Sequence, residues 1–234
     1  MPLVVKNLII INALFFLARY TLASTHNIDL NSILGLYYYN SPEFNPYQLI
    51  SYMFMHGGFS HIFFNMFALW MFGTQIENLW GPKRFLNYYL ITGFGAAFLH
   101  YLIIHFQISG LESYFTSNQI SEIVNSGAFN PSSPLFSKAR MLYGLHHTPV
   151  VGASGAVFGL LLAYGMTYPN QIIYLNLLFP IKAKYFVIIY GLLEFFMGVQ
   201  NGAGDNVAHF AHIGGMLFGF LLIKYWKKND MNFY

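Results

Sequence analysis

Six apolar runs decide what this chain can become. They cover about 7–24, 58–76, 85–106, 152–168, 185–199 and 207–226. A helix that crosses hydrocarbon needs about 20 mostly apolar residues. The pattern predicts an all-α membrane protein in which residues 1–234 form a single bundle of six transmembrane helices. Composition agrees, with 8 % charged residues against roughly 25 % in soluble domains. A second, soluble domain would need a polar stretch that the sequence lacks. The formal charge of +3 is too small to mark a nucleic-acid partner, so the lipid bilayer is the expected surroundings.

The segments between the runs are uneven. Residues 25–47 form a polar loop rich in Asn and Tyr, and 107–149 form a long polar insertion. Asn130-Pro-Ser-Ser-Pro134 breaks any helix there. Gln171 to Phe179 is apolar but too short to cross, and reads as interfacial. Gln200 to Asn206 is a Gly-rich loop. Lys6 ahead of the first run imitates a signal peptide, but Leu22-Ala-Ser24 is a poor processing site and five more runs follow. Arg19 lies near the far end of the first run, where it can snorkel. Tyr37-Tyr-Tyr39, Trp70 and Trp226 read as interfacial belts.

The basic residues orient the bundle. With the N-terminus inside, the cytoplasmic side receives Lys6, Lys83, Arg84, Lys182, Lys184, Lys224, Lys227 and Lys228, eight of the eleven. That bias places both termini in the cytoplasm. The second, fourth and sixth runs then all descend from the outer face, so their N-terminal ends share one level. The loop composition points to a bacterial inner membrane, with an organelle membrane as the alternative.

The polar oddities of the chain gather at those three ends. Gly152-Ala-Ser154-Gly155 opens the fourth run. A hydroxyl in hydrocarbon is unfavourable unless paired. Gly155 and Gly159 share a helix face, as do His212, Gly215 and Gly219 on the sixth run. If these glycine faces cross, the helices touch backbone to backbone. Ser154 and His212 then lie at similar shallow depth, and an imidazole can activate the hydroxyl. Phe158, one turn below Ser154, can pack on that ring. On the second run, His61 and Asn65 share a face at the same level, where they can donate to a developing oxyanion together with the Ser154 amide. Glu194 and Asp205 have no obvious path to His212, so a Ser–His dyad is expected. His209 reads as an outer-face neighbour. Cofactors and metals are not called for: there are no cysteines, and the adjacent His146 and His147 do not make a site without further ligands.

These motifs, Gly152-Ala-Ser154-Gly155, His61-Ile-Phe-Phe-Asn65 and Ala211-His212-Ile-Gly-Gly215, resemble the signatures of the rhomboid intramembrane serine proteases. Glu77-Asn-Leu-Trp-Gly81-Pro-Lys-Arg84-Phe85 also resembles a family element. The resemblance implies a six-helix rhomboid fold and peptide-bond hydrolysis with Ser154 as nucleophile and His212 as base. It implies an oxyanion hole from His61, Asn65 and the Ser154 amide, with His56 in support and Gly152 lining the site. The expected substrates are single-span transmembrane proteins, cut near the outer membrane boundary. Two other readings compete. An escort of the same fold would not need the Ser–His pair. A transporter would need polar groups to continue down the bundle, but below Asn65 and His212 the faces turn apolar.

Overall fold

The computed structural model describes residues 1–175, 179–200 and 208–229. Helix α1 spans Leu3–His26. Two short helices follow, α2 (Leu30–Leu34) and α3 (Gln48–Ser51), the latter continuing as a 3-10 turn over Tyr52–Phe54. The second apolar run is one rod in three parts. Helix α4 (Phe59–Ala68) passes through a π turn at Leu69–Gly73 into α5 (Thr74–Trp80). Gly81, with φ +77°, separates it from α6, Pro82–Glu112, which begins on proline. Proline is favoured there because its missing N–H would have no partner anyway.

The insertion contains two helices, α7 (Ser117–Ser126) and α8 (Phe136–His147), on either side of Asn130–Pro134. A capping box formed by Thr116 and Gln119 starts α7. Helix α9 is Ser154–Thr167. The stretch expected to be interfacial, Gln171 to Phe179, runs into two short antiparallel strands, β1 (Ile172–Leu175) and β2 (Phe179–Lys182), with Ile173 opposite Ile181. Helices α10 (Ala183–Gln200) and α11 (His209–Asn229) complete the described chain. By length and composition, α1, α6 and α10 are each long and apolar enough to cross a membrane.

Helix α9 occupies the middle, packed between α6 and α11. Small residues set the spacing. A Cβ on Gly215 would run into the carbonyl oxygen of Gly155, so α9 and α11 meet backbone to backbone there. The lower half differs from expectation. A Cβ on Gly159 would lie 2.7 Å from Thr92 Cβ, and one on Gly219 would strike the Tyr88 hydroxyl. Those two glycines therefore admit side chains of α6, not each other. The Tyr88 hydroxyl donates to Gly159 O at 2.8 Å, which satisfies a phenol buried in an apolar core.

Some aromatics are not belt residues. Tyr37 and Tyr38 are buried. Tyr38 joins Ile104, Ile108, Ile123, Ala139 and Leu142 in a small core that fixes the insertion to α6. Trp226 packs edge-on against Trp80, with ring centroids 5.7 Å apart, beneath the Arg84 guanidinium. Trp70 is exposed. The paired histidines also have local roles. His147 Nδ1 contacts Glu43 Oε1 at 2.9 Å and its Nε2 contacts Val124 O at 2.7 Å. Burial pushes the Glu43 carboxyl up, but hydrogen bonds from Ser41 and His147 outweigh it and hold the group below its ordinary range.

Glu77 is buried at the opposite end of the bundle from the insertion. Its two oxygens accept the N–H groups of Val4 (2.8 Å) and Val5 (2.7 Å). Helix N-termini leave such donors unpaired, and a carboxylate there also meets the positive end of the helix dipole. Glu77→Ala should therefore destabilise the protein by about 2–4 kcal/mol, since two amides lose a charged acceptor. Thermal unfolding in detergent measures it. An unchanged midpoint would show that α1 does not depend on this cap.

Candidate active site

Ser154 is the first residue of α9, and its helix start has no side-chain cap. The first-turn amides therefore have no intrahelical acceptor. Gly152 turns the chain into that helix at φ +130°, a conformation that side chains rarely adopt. Its N–H is anchored on Tyr52 O at 2.9 Å. A Cβ at Gly152 would lie 2.8 Å from His61 Nε2 and 3.5 Å from Ser154 Oγ. Glycine thus keeps open the space between the serine and the second rod.

His212 is on the first turn of α11 and is buried. Its Nε2 lies 2.8 Å from Ser154 Oγ. Phe158 stacks on the imidazole at 4.2 Å between centroids and an interplanar angle of 8°. The ring is therefore held on one face by an aromatic and on one edge by the hydroxyl.

Two expectations about its surroundings fail. No carboxylate was expected to reach His212, yet Glu194 Oε2 lies 2.8 Å from His212 Nδ1. The Ser154–His212 pair has a carboxyl group behind it. His209 was read as an outer-face neighbour, yet it is buried, and its Nδ1 lies 2.6 Å from the same Glu194 oxygen. The physical reason is helix geometry. His209 and His212 are three apart on α11 and project to one side, where α10 delivers Glu194. A carboxylate in an otherwise apolar run was itself a signal, because intramembrane ionisable groups are costly and tend to be functional. Glu194, His209 and His212 offer three ligand atoms within 4.8 Å of one another. The contacts of 2.6 and 2.8 Å are hydrogen-bond lengths, shorter than the about 3.3 Å between ligands on a tetrahedral zinc.

The second rod completes the site. The Gly57 N–H donates to His61 Nδ1 at 3.3 Å. In a neutral ring that places the proton on Nε2, the atom facing Gly152 and Ser154. Asn65 is buried and uses one amide proton on His61 O at 3.0 Å. Its second amide proton is then available to a ligand. His56 is buried and packs edge-on against His61, with centroids 5.0 Å apart. Arg19 does not merely snorkel. Its Nη1 donates to the carbonyls of His56 (3.1 Å) and Gly57 (3.2 Å), holding the turn whose amide sets the His61 proton.

The structure thus brings together Ser154, His212, Phe158, Gly152, His61, Asn65 and His56 at one end of the bundle. Residues 201–206 of the Gly-rich Gln200–Asn206 loop lie outside the described residues, and Asp205 with them.

Fold and site together define an all-α integral membrane protein with a hydroxyl–imidazole–carboxylate chain recessed among its helices. The Rhomboid domain family matches residues 43–228, and the chain belongs to that family. RHOMBOID-like protein 4 of Arabidopsis thaliana is 31% identical over 179 residues, which are 75% of this chain and 33% of that protein. Rhomboid protease GluP of Bacillus subtilis (strain 168) is 28% identical over 176 residues, 74% of this chain and 25% of its own length. Rhomboid protease AarA of Providencia stuartii is 28% identical over 174 residues, 73% of this chain and 52% of its own. The chain therefore matches between a quarter and about half of the length of these relatives.

Proposed function

We propose that this chain is an intramembrane serine endopeptidase that cuts single-span transmembrane proteins near the outer membrane boundary. The observation that carries the reading is the 2.8 Å contact between Ser154 Oγ and His212 Nε2. The serine attacks the carbonyl carbon of the scissile peptide bond while its proton passes to Nε2. The tetrahedral oxyanion is received by His61 Nε2–H, Asn65 and the Ser154 amide. Collapse breaks the C–N bond, and the leaving amine takes the proton from His212. Water, deprotonated by the same nitrogen, then hydrolyses the acyl-serine and regenerates the hydroxyl.

The six runs cross the bilayer with both termini in the cytoplasm, and the site opens outward. A substrate helix enters sideways between the α4–α5 rod and α10 and must unwind locally to expose its backbone. Two observations support that route. The first turns of α10 are packed on the bundle, where Phe186 meets Phe72 at 6.5 Å. Further along, Leu192, Phe196 and Val199 are exposed. Helix α10 thus touches the second rod through its first turns, while its later turns are held by α11.

The test is cleavage of a panel of single-span reporters in liposomes, with the cut site mapped by mass spectrometry. Cuts near the outer boundary support the reading. A folded protein that cuts none of them, or that cuts in the cytoplasmic half, would overturn it.

A further inference from the structure

We infer that Glu194 is the positioning residue for His212, and that His209 keeps the Glu194 carboxylate charged inside the bundle. The inference rests on the protease reading above and replaces a two-residue device with a four-residue chain, Ser154–His212–Glu194–His209. An ionised carboxylate oxygen can only accept hydrogen bonds. Glu194 Oε2 lies 2.6 Å from His209 Nδ1 and 2.8 Å from His212 Nδ1, so both Nδ1 atoms carry protons. In neutral His212 the other nitrogen, Nε2, is then bare, and it is the one facing Ser154 Oγ. Glu194 thus selects the tautomer that can act as a base. It also stabilises the imidazolium that forms when the serine gives up its proton.

A buried carboxylate with too few partners would take up a proton. The Glu194 side chain is only 13 % exposed, and that of His209 6 %. The two imidazole rings stand at 88° to each other with centroids 6.3 Å apart, forming a wedge around the shared oxygen. His209 supplies the second donor that keeps the charge in place.

The packing of α10 is built for this contact. Gly191, Glu194 and Gly198 fall on one helix face. A Cβ on Gly191 would lie 3.2 Å from Met216 Cε, and one on Gly198 would lie 3.0 Å from Phe210 and 3.1 Å from His209 Cβ. Glycines one turn to either side of Glu194 thus let α10 approach α11 where the carboxylate must reach.

The test uses the full chain in liposomes and compares wild type with Glu194→Gln and His209→Leu. Two readouts are taken: cleavage of a single-span reporter, and the rate at which a fluorophosphonate labels Ser154. Glu194→Gln should lower kcat by about 10²- to 10⁴-fold with KM within about two-fold, and slow labelling in parallel. His209→Leu should lower kcat about five- to ten-fold near pH 8 and further near pH 6, because a carboxylate with one donor fewer protonates more readily. A Glu194→Gln protein within about three-fold of wild type in both readouts would overturn the inference. So would a His209→Leu loss that is equal at both pH values, as purely structural damage would give. If Glu194→Gln does not fold, the His209→Leu profile decides. Labelling separates the two claims. A wild type that labels but cuts no reporter counts against the protease reading, while slower labelling of Glu194→Gln would still uphold the inference.

Discussion

Ser154→Ala should abolish peptide-bond cleavage and leave the fold intact. Among the described residues the hydroxyl hydrogen-bonds His212 Nε2 alone, and neither packing nor the backbone of α9 depends on it. Its removal takes away the attacking atom, so the rate should fall by at least about 10⁴-fold, to whatever the oxyanion donors alone support. His212→Ala should be equally inactive but less clean. It also removes the ring stacked on Phe158 and leaves Glu194 one donor short, so some stability should go with the activity. Reporter cleavage beside thermal unfolding separates these effects. Measurable turnover in both variants would mean that a different group attacks the peptide bond.

The second large effect is structural. Gly215→Ala should destabilise the bundle by about 1–3 kcal/mol or more, because a Cβ there meets the backbone carbonyl of Gly155 and backbone cannot rotate away. The strain falls one residue after Ser154, so activity should drop before the protein unfolds. Gly110→Ala is the matched control. It lies in α6 with nothing within 4 Å of the added carbon, and a helical Gly→Ala change in open space should stabilise by about 0.5–1 kcal/mol. Unfolding midpoints of the two variants in one detergent make the comparison. A Gly215→Ala protein as stable as wild type would show that α9 and α11 can separate at little cost.

What the sequence could reveal was governed by where each signal resides. The pairing of Ser154 with His212 was readable because small residues at four-residue spacing mark a close helix crossing, and both polar groups open their helices. The contact of Gly155 with Gly215 follows from the same spacing. The role of Gly159 and Gly219 was misjudged. The same spacing serves equally well to admit Thr92 and Tyr88, and nothing in a one-dimensional pattern names the third helix. The path from Glu194 to His212 is not legible in the sequence for a related reason. The partners of Glu194 are fifteen and eighteen positions away on another helix, and only the rotation of α10 about its axis decides whether it faces lipid or His212. Arg19 shows the same limit. Snorkelling is a property of one helix, whereas its hydrogen bonds to His56 and Gly57 depend on how α1 leans against the start of α4. Tyr37 and Tyr38 carried the composition of a belt, but both are buried, Tyr38 by the insertion.

The carboxylate of Glu77 also bears on the order in which the molecule is assembled. The group that satisfies the amides of Val4 and Val5 follows them by 73 and 72 positions. Helix α1 can enter the bilayer early, but its first turn stays incomplete until α5 has arrived beside it. The first turn of α1 is thus closed by a residue of α5. A truncated product that stops short of Glu77 would carry an unfinished end, a local mark by which a partly made chain differs from a whole one.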